Sequence, residues 1–398
     1  MSCTIKRVLY IDKSRIYGGA EECLIALASD LDRARFIPTI CLDYPMQHHR
    51  FFETSGADVV YRVPHTPMWA KDRWGKYPPL GIGHLERLLL ARRLHVILQH
   101  HRPAIVHYNL YRHTAYLDLW VARRLGTVVI SHVRSLASQA LLSRKVLANS
   151  DGIICTSDIV RREVELVYPE GLIRSIYDGV NCDRYRYHGT REEAKQSLNL
   201  RSDTFILSSV AMLDPRKGHD VAIRAMPKIV KHNPSVILII AGGEPDTSQG
   251  KETRRLRALA ETNGIGAYVR FLGHCSDMAA LYTATDVVLA LSSDGEAFGR
   301  VPVEAACAQR PVIATGLGAT PEIVEPDFSG ILVARRDSGA VADAVMRLCA
   351  QPETATRLGR QAAEKVAALF NSRVHADKVQ AFYEELLQKH QRPPGSRS

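Results

Sequence analysis

The chain has 398 residues, a formal net charge of +10 and a pI of about 9.2. Its hydrophobic content of 46 % and charged content of 24 % are ordinary for a soluble globular protein, and the length suggests two domains. No apolar run reaches the ~18–20 residues of a membrane span, and Met1 to Arg7 lead straight into a strand-like segment with no signal-peptide pattern.

Arg7–Asp12 reads as a buried strand, followed by the loop Tyr17-Gly18-Gly19-Ala20-Glu21. A helix follows, with Leu24, Ile25, Leu27 and Leu31 on its apolar side. Further short strands are read at Thr39–Leu42, Asp58–Val63, Ala104–His107, Val128–His132 and Gly152–Thr156, with helices at His84–His100, Thr114–Arg124 and Ile159–Val167. The alternation restarts after Gly179-Val180-Asn181. Strands are read at Phe205–Val210, Val236–Ala241, Val269–Leu272, Asp286–Leu291 and Val312–Ala314. Helices are read at Asp220–Val230, Glu252–Thr262 and Ser276–Thr283. Val374–Leu387 reads as a terminal amphipathic helix, and Gln391–Ser398, with two Pro, a Gly and two Ser, as a disordered tail. Strand alternating with helix predicts two α/β domains, each a parallel sheet covered on both faces. Their ligands should gather at the carboxyl ends of the strands.

The eight cysteines are scattered and form no Cys-x-x-Cys pair, so they read as buried free thiols of a reducing cytoplasm. No metal site is expected: the one Asp-x-Asp triplet, Asp30-Leu31-Asp32, falls at a helix end. His48-His49 and His100-His101 read as surface pairs. Residues 1–180 carry 24 Lys and Arg against 17 Asp and Glu, and the remainder 28 against 25, so the positive excess lies mostly in the first half. No nucleic-acid motif accompanies it; an anionic acceptor or membrane surface suits it better. Trp69-Ala70-Lys71-Asp72-Arg73-Trp74-Gly75-Lys76-Tyr77 interleaves aromatic and basic residues, and the helix from His84 adds Arg87, Arg92 and Arg93. That segment suits either the headgroup layer of a membrane or the lining of an acceptor cleft.

The most informative stretch is Glu296-Ala297-Phe298-Gly299-Arg300-Val301-Pro302-Val303-Glu304. Asp294-Gly295 ahead of it reads as a turn, and the apolar spacing of Val301, Ala305 and Ala308 starts a helix near Arg300. Free N–H groups at that helix start would form an anion site, Gly299 permits close backbone approach, and Glu296 and Glu304 could accept hydrogen bonds from hydroxyls. A phosphate flanked by two such carboxylates outlines a sugar nucleotide.

Two Glu eight positions apart, with Phe-Gly after the first, resemble the signature of the family 4 glycosyltransferases. The resemblance covers nearly the whole chain and is strongest from about 205 to 335. Tyr17-Gly18-Gly19 resembles the family's first Gly-rich loop, and Asp214-Pro215-Arg216-Lys217-Gly218 its Pro-x-Lys-Gly segment, whose Lys contacts the donor diphosphate. Gly316–Glu322 and Gly330–Val333 resemble the loop and strand that close the donor pocket. Met212 stands where the family often has an Arg, a contact that Arg216 or Arg300 could supply.

The resemblance implies two Rossmann-like domains facing across a cleft (GT-B). Residues 1–180 would bind the acceptor and 181–368 the donor, with a helix over 369–390 returning to the first domain and a disordered tail over 391–398. It implies retaining transfer from a nucleoside-diphosphate sugar to a glycan or lipid-linked acceptor, as in cell-surface polysaccharide or glycolipid synthesis, without metal or other cofactor. The place of work would be the cytoplasm or the inner face of its membrane. His132 and Glu296 would be catalytic, His132 by the family's His near the reacting sugar, with His107 its competitor. Gly18, Gly19, Arg216, Lys217, Phe298, Gly299, Arg300 and Glu304 would bind the donor. A sugar-nucleotide epimerase of related fold and a non-catalytic binding module are the alternatives; Met212 favours the latter.

Overall fold

The protein is described here by a computed structural model, for residues 5–13, 17–45, 47–62, 82–111, 115–137, 142–244 and 249–391; at 47, 82–85 and 391 only the backbone is described. The segment Trp69–Tyr77 and the proposed tail beyond 391 lie outside the described residues. The chain divides into two units, residues 1–179 with 372–398, and residues 180–371.

Unit 1 follows the apolar punctuation of its sequence. Its elements are β1 (Lys6–Asp12), α1 (Gly19–Asp30), β2 (Phe36–Leu42), α2 (Arg50–Glu53), β3 (Asp58–Tyr61), α3 (Ile82–His101), β4 (Ile105–Tyr108), α4 (Tyr116–Arg124), β5 (Val128–Val133), α5 (Arg144–Leu147), β6 (Gly152–Cys155), α6 (Asp158–Val167) and β7 (Ile173–Ser175). The strands form a parallel sheet of order β3-β2-β1-β4-β5-β6-β7. The order reverses between β1 and β4, so the carboxyl ends of these two strands flank the switch point, where open α/β sheets take their ligands. Buried Val8, Tyr10, Ile40, Ile105 and Ile130 form the sheet's contribution to the core. His49 departs from its reading as a surface residue: its ring is buried against Phe52 and Tyr61.

Unit 2 contains α7 (Arg191–Ser197), β8 (Phe205–Val210), α8 (His219–His232), β9 (Val236–Ala241), α9 (Lys251–Thr262), β10 (Val269–Gly273), α10 (Met278–Ala284), β11 (Val287–Ala290), α11 (Arg300–Cys307), β12 (Val312–Thr315), α12 (Thr320–Ile323), β13 (Ile331–Val333), α13 (Ser338–Ala350) and α14 (Pro352–Leu369). The sheet order is β10-β9-β8-β11-β12-β13, all parallel. β9 is continuously apolar, as suits a strand buried on both faces, while β8 carries the buried Ser208 and Ser209 among apolar residues. The switch point here lies between β8 and β11. α15 (Ser372–Gln391) belongs to unit 1 and buries Ala376, Val379, Phe382, Tyr383 and Leu386 in its core.

The cysteines are not all free. Cys182 and Cys307 form a disulfide, while Cys23, Cys41, Cys155, Cys275 and Cys349 are free thiols. The pairing joins residues 125 positions apart, a closeness that no local spacing encodes. Disulfides are rare in a reducing cytosol, so cysteine usage no longer argues for that compartment. No helix among the described residues is long and apolar enough to cross a membrane.

Candidate functional site

In unit 2 the loops leaving β8 and β11 are tied together. After β8, the Asp214 side chain accepts from the Arg216 amide at 2.9 Å and opens a short 3-10 turn, Pro215–Lys217. Gly218 closes the turn at φ +74°, where a Cβ would lie 2.0 Å from the Leu291 carbonyl oxygen, so only glycine lets α8 start this close to the β11 loop. The Arg216 carbonyl accepts from the Ser293 amide at 2.7 Å and the Ser292 hydroxyl at 3.2 Å. These backbone bonds bring Lys217 to Glu296. Lys217 Nζ stands 2.7 Å from Glu296 Oε1, each side chain about 30 % exposed. Glu296 is fixed from behind by a bridge to Gly318 and by the Ala319 amide, which donates to its carbonyl at 2.8 Å.

Gly299, at φ +99°, turns the chain into α11. Arg300 Nε donates to Glu304 Oε1 at 3.2 Å, one turn along, and the Tyr282 hydroxyl donates to Glu304 Oε2 at 3.0 Å. Tyr282 is fully enclosed; burial, then the Glu304 carboxylate, pushes its phenol pKa well above the usual value. Arg216 grips Asp214 through Nε (3.0 Å) and a terminal nitrogen (2.8 Å), and that hydrogen bonding holds Asp214 below the usual carboxylate range. Met212 is 44 % exposed.

The structure thus brings Lys217 and Glu296 together and puts Arg300 and Glu304 one turn apart on α11. Two assignments change in character. Phe298 is buried with its ring 5.8 Å from that of Phe370, so its side chain serves the core. Arg300 is occupied by Glu304, which makes it a neighbour of the carboxylate before it is a phosphate contact. Tyr282 was missed, because a tyrosine in an apolar helix carries no pairing signal with a glutamate 22 residues away.

In unit 1, Gly18 caps α1 in an extended conformation and Gly19 begins the helix, beside the switch point. Asp12 at the end of β1 accepts from Asn109 Nδ2 at 2.6 Å, just past the end of β4. Arg134 donates to the Asn109 carbonyl (3.0 Å) and side chain (3.1 Å) and is ion-paired with Asp178. His132 lies behind this pair with no part of its ring exposed. Its Nδ1 is 3.2 Å from His107 Nε2, its Nε2 is 3.8 Å from Asp178 Oδ1, and His107 Nδ1 meets the Tyr383 hydroxyl at 2.5 Å. Burial, then Arg134, His107 and His375, keeps the His132 pKa well below the usual histidine value. The two histidines that competed for one role are therefore hydrogen-bonded neighbours, and the expected catalytic ring is sealed inside the unit. Nearby, fully buried Arg62 is ion-paired with Asp43 and, at 2.9 Å, with Asp118, which also takes Lys13 at 2.8 Å. Among the described residues no group of three or more His, Cys, Asp or Glu could hold a metal ion.

Comparison with known proteins decides the family. Residues 17–184 match the model described as Glycosyltransferase Family 4, and residues 190–365 the model described as Glycosyl transferases group 1. The chain belongs to the family 4 glycosyltransferases. It is 32 % identical over 251 residues to a D-inositol 3-phosphate glycosyltransferase of Saccharomonospora viridis, and 34 % identical over 251 residues to that of Mycobacterium bovis. Each match covers 61 % of this chain, and 57 % and 50 % of the relative, so the chain spans about half the length of these relatives. The crystal structure of Anabaena HepE in complex with UDP and glucose superposes with a TM-score of 0.79 at 21 % identity, over 96 % of this chain and 100 % of that one. Sucrose-phosphate synthase from Thermosynechococcus elongatus gives 0.78 at 24 % identity, over 96 % and 100 %. At such identities these two likenesses speak for the fold: two Rossmann-like α/β domains of the GT-B kind.

Proposed function

We propose that this glycosyltransferase moves a sugar from a nucleoside-diphosphate sugar to a glycan or lipid-linked acceptor, with retention at the anomeric carbon. The observation that carries the reading is the meeting of Lys217 and Glu296, 2.7 Å apart at the switch point of unit 2, with Glu304 on the adjoining helix. An arriving diphosphate takes over Lys217 as its counter-charge, with Arg216 and the α11 N-terminus beside it. Glu296 is thereby released to accept from sugar hydroxyls, and Glu304 accepts from the ribose hydroxyls. The acceptor hydroxyl attacks from the face the nucleotide leaves. The bond from the anomeric carbon to the phosphate oxygen breaks, and the leaving phosphate takes the acceptor's proton. Stabilisation of the leaving diphosphate by Lys217 supplies the main catalytic effect, and no metal is needed. The UDP and glucose named for the Anabaena neighbour support a nucleotide-sugar donor. Unit 1 supplies the acceptor surface, with Gly18 and Gly19 at its switch point. His132, being enclosed, enters as a support for the strand ends and not as a group that touches the sugar. The exposed outer face of α3 adds attraction to an anionic inner membrane surface.

The test is nucleotide release from a panel of UDP- and GDP-sugars, with the product anomer read by NMR. Glu304→Ala should raise donor KM, Glu296→Ala should mainly lower kcat, and turnover should survive EDTA. Wild-type rates in both variants with every donor would end the reading; loss on chelation restored by magnesium or manganese would overturn its metal-free part. Exposed Met212 favours one other reading, a binding module without catalysis, which predicts donor binding with no release.

A further inference from the structure

We infer that Tyr282 is a positioning residue that, with Arg300, sets the Glu304 carboxylate to grip a vicinal diol with both oxygens; this rests on the proposed ribose contact of Glu304. An ionised carboxylate offers about four acceptor sites, two on each oxygen. Tyr282 occupies one on Oε2 at 3.0 Å, and Arg300 one on Oε1 at 3.2 Å. One acceptor site per oxygen is left, two in all, as many as the donors of a cis-diol such as the 2′ and 3′ hydroxyls of ribose. A carboxylate held at only one oxygen could rotate and present one acceptor at a time.

The phenol is itself held firmly. Tyr282 lies on α10, and its fully buried ring meets that of Tyr185 edge-on, with centroids 5.8 Å apart at 61°. Tyr185 closes the short helical turn Cys182–Tyr185, whose first residue is disulfide-bonded to Cys307, the last residue of α11. The path from Glu304 through Tyr282, Tyr185 and Cys182 to Cys307 therefore returns to the helix that carries Glu304. A buried hydroxyl in such a ring of contacts has little freedom to donate elsewhere, and the carboxylate it meets is pre-organised before the ligand arrives.

The experiment is calorimetry of UDP, GDP and ADP, each against its 2′,3′-dideoxy form, on the full chain. Wild type should prefer the hydroxylated form of the nucleotide it binds, and Glu304→Ala should abolish that preference. Tyr282→Phe keeps the ring packing and removes only the hydroxyl; it should lower the preference by about 5–10-fold, the size of one ordinary net hydrogen bond, with dideoxy affinity unchanged. Arg300→Gln should lower it similarly. If Tyr282→Phe weakens both forms equally, or leaves the preference intact, the residue is packing and the inference is wrong. If Glu304→Ala itself keeps the preference, the ribose contact fails instead. A thermal melt of Tyr282→Phe confirms that the variant is folded when the ratio is read.

Discussion

Both units bring polar side chains to the carboxyl ends of their strands, but unit 2 leaves them reachable and unit 1 seals them in. Lys217 and Glu296 are each about one-third exposed, and Arg216 more so. Asp12, Asn109, His132 and Arg134 are all buried and bonded to one another or to immediate neighbours. A side chain that must exchange its partner for a ligand has to be open to that ligand. A sealed network instead fixes a backbone, because any member left alone in low dielectric is costly. The polar residues of unit 2 therefore belong to a site, and those of unit 1 to the frame on which a site is hung.

The sharpest way to break that contrast is acid. His107, His132 and His375 are buried in unit 1 with pKa values pushed down by desolvation first; for His375 the value falls to about 4 from 6.5. Such groups are neutral in the folded state over a range where the unfolded chain binds protons. Their stabilising contribution is full above the unfolded value of 6.5 and is lost as pH falls from there toward the folded values. Each adds a slope of up to about 1.4 kcal/mol per pH unit. Unit 2 has buried His219, likewise lowered by burial. Urea unfolding between pH 7 and 4.5, followed by hydrogen exchange resolved by segment, should show unit 1 losing protection first. Equal loss in both units would mean that the buried network is not the weak point.

The disulfide carries the next largest effect, and it falls on unit 2. Cys182 and Cys307 close a long loop, so Cys182→Ser or full reduction should cost about 2–4 kcal/mol of unit 2 stability. A melting curve with and without reductant measures it. No shift would show that the bond contributes nothing under the conditions used.

Lys217→Ala comes next. Removing a charge-assisted contact to the diphosphate should lower nucleoside-diphosphate affinity by about 1.5–3 kcal/mol, without the loss of stability that a sealed ion pair would show. A large drop in melting temperature with unchanged affinity would move Lys217 from the site to the frame and erase the contrast between the units.

What the sequence revealed follows the same division. The parallel α/β alternation was legible because β9 and the centre of β1, Val8 to Ile11, are apolar runs. β7 was not, since its three residues, Ile173 to Ser175, have no room for a pattern. The same brevity hides α2 and α5, four residues each. In unit 2 the candidate residues sit on short motifs, Asp214 to Gly218 and Glu296 to Glu304, whose internal contacts are two to four residues apart. In unit 1 the corresponding contacts join residues 97, 25 and 276 positions apart, as Asp12 with Asn109, His107 with His132 and His107 with Tyr383. No local spacing encodes such pairs. A histidine at a strand end looks the same in sequence whether it faces a ligand or a core, which is why His132 and His107 could be named but not told apart.

The smallest expected effect concerns the outside of unit 1. On α3, Leu90, Ala91, Leu94 and Leu98 are buried, and the opposite face leaves Leu88, Leu89 and Val96 exposed. Arg92 lies between Leu88 and Val96 at four-residue spacing, and Arg93 follows Leu89 by the same step, so the outward face is both apolar and basic. Arg87, also exposed, adds a third charge. Apolar side chains beside arginine suit the boundary of an anionic bilayer, where each basic residue adds about 1 kcal/mol that salt screens away. Co-sedimentation with phosphatidylglycerol vesicles should therefore show binding at low salt that fades at high salt. Changing Arg87, Arg92 and Arg93 to Ala should weaken it by about 3 kcal/mol at most. A second variant, Lys71, Arg73 and Lys76 to Ala, asks whether the preceding aromatic and basic stretch shares the contact. If wild type does not bind at low salt, or both variants bind as wild type does, the face is an ordinary solvated helix and a soluble acceptor becomes the better reading.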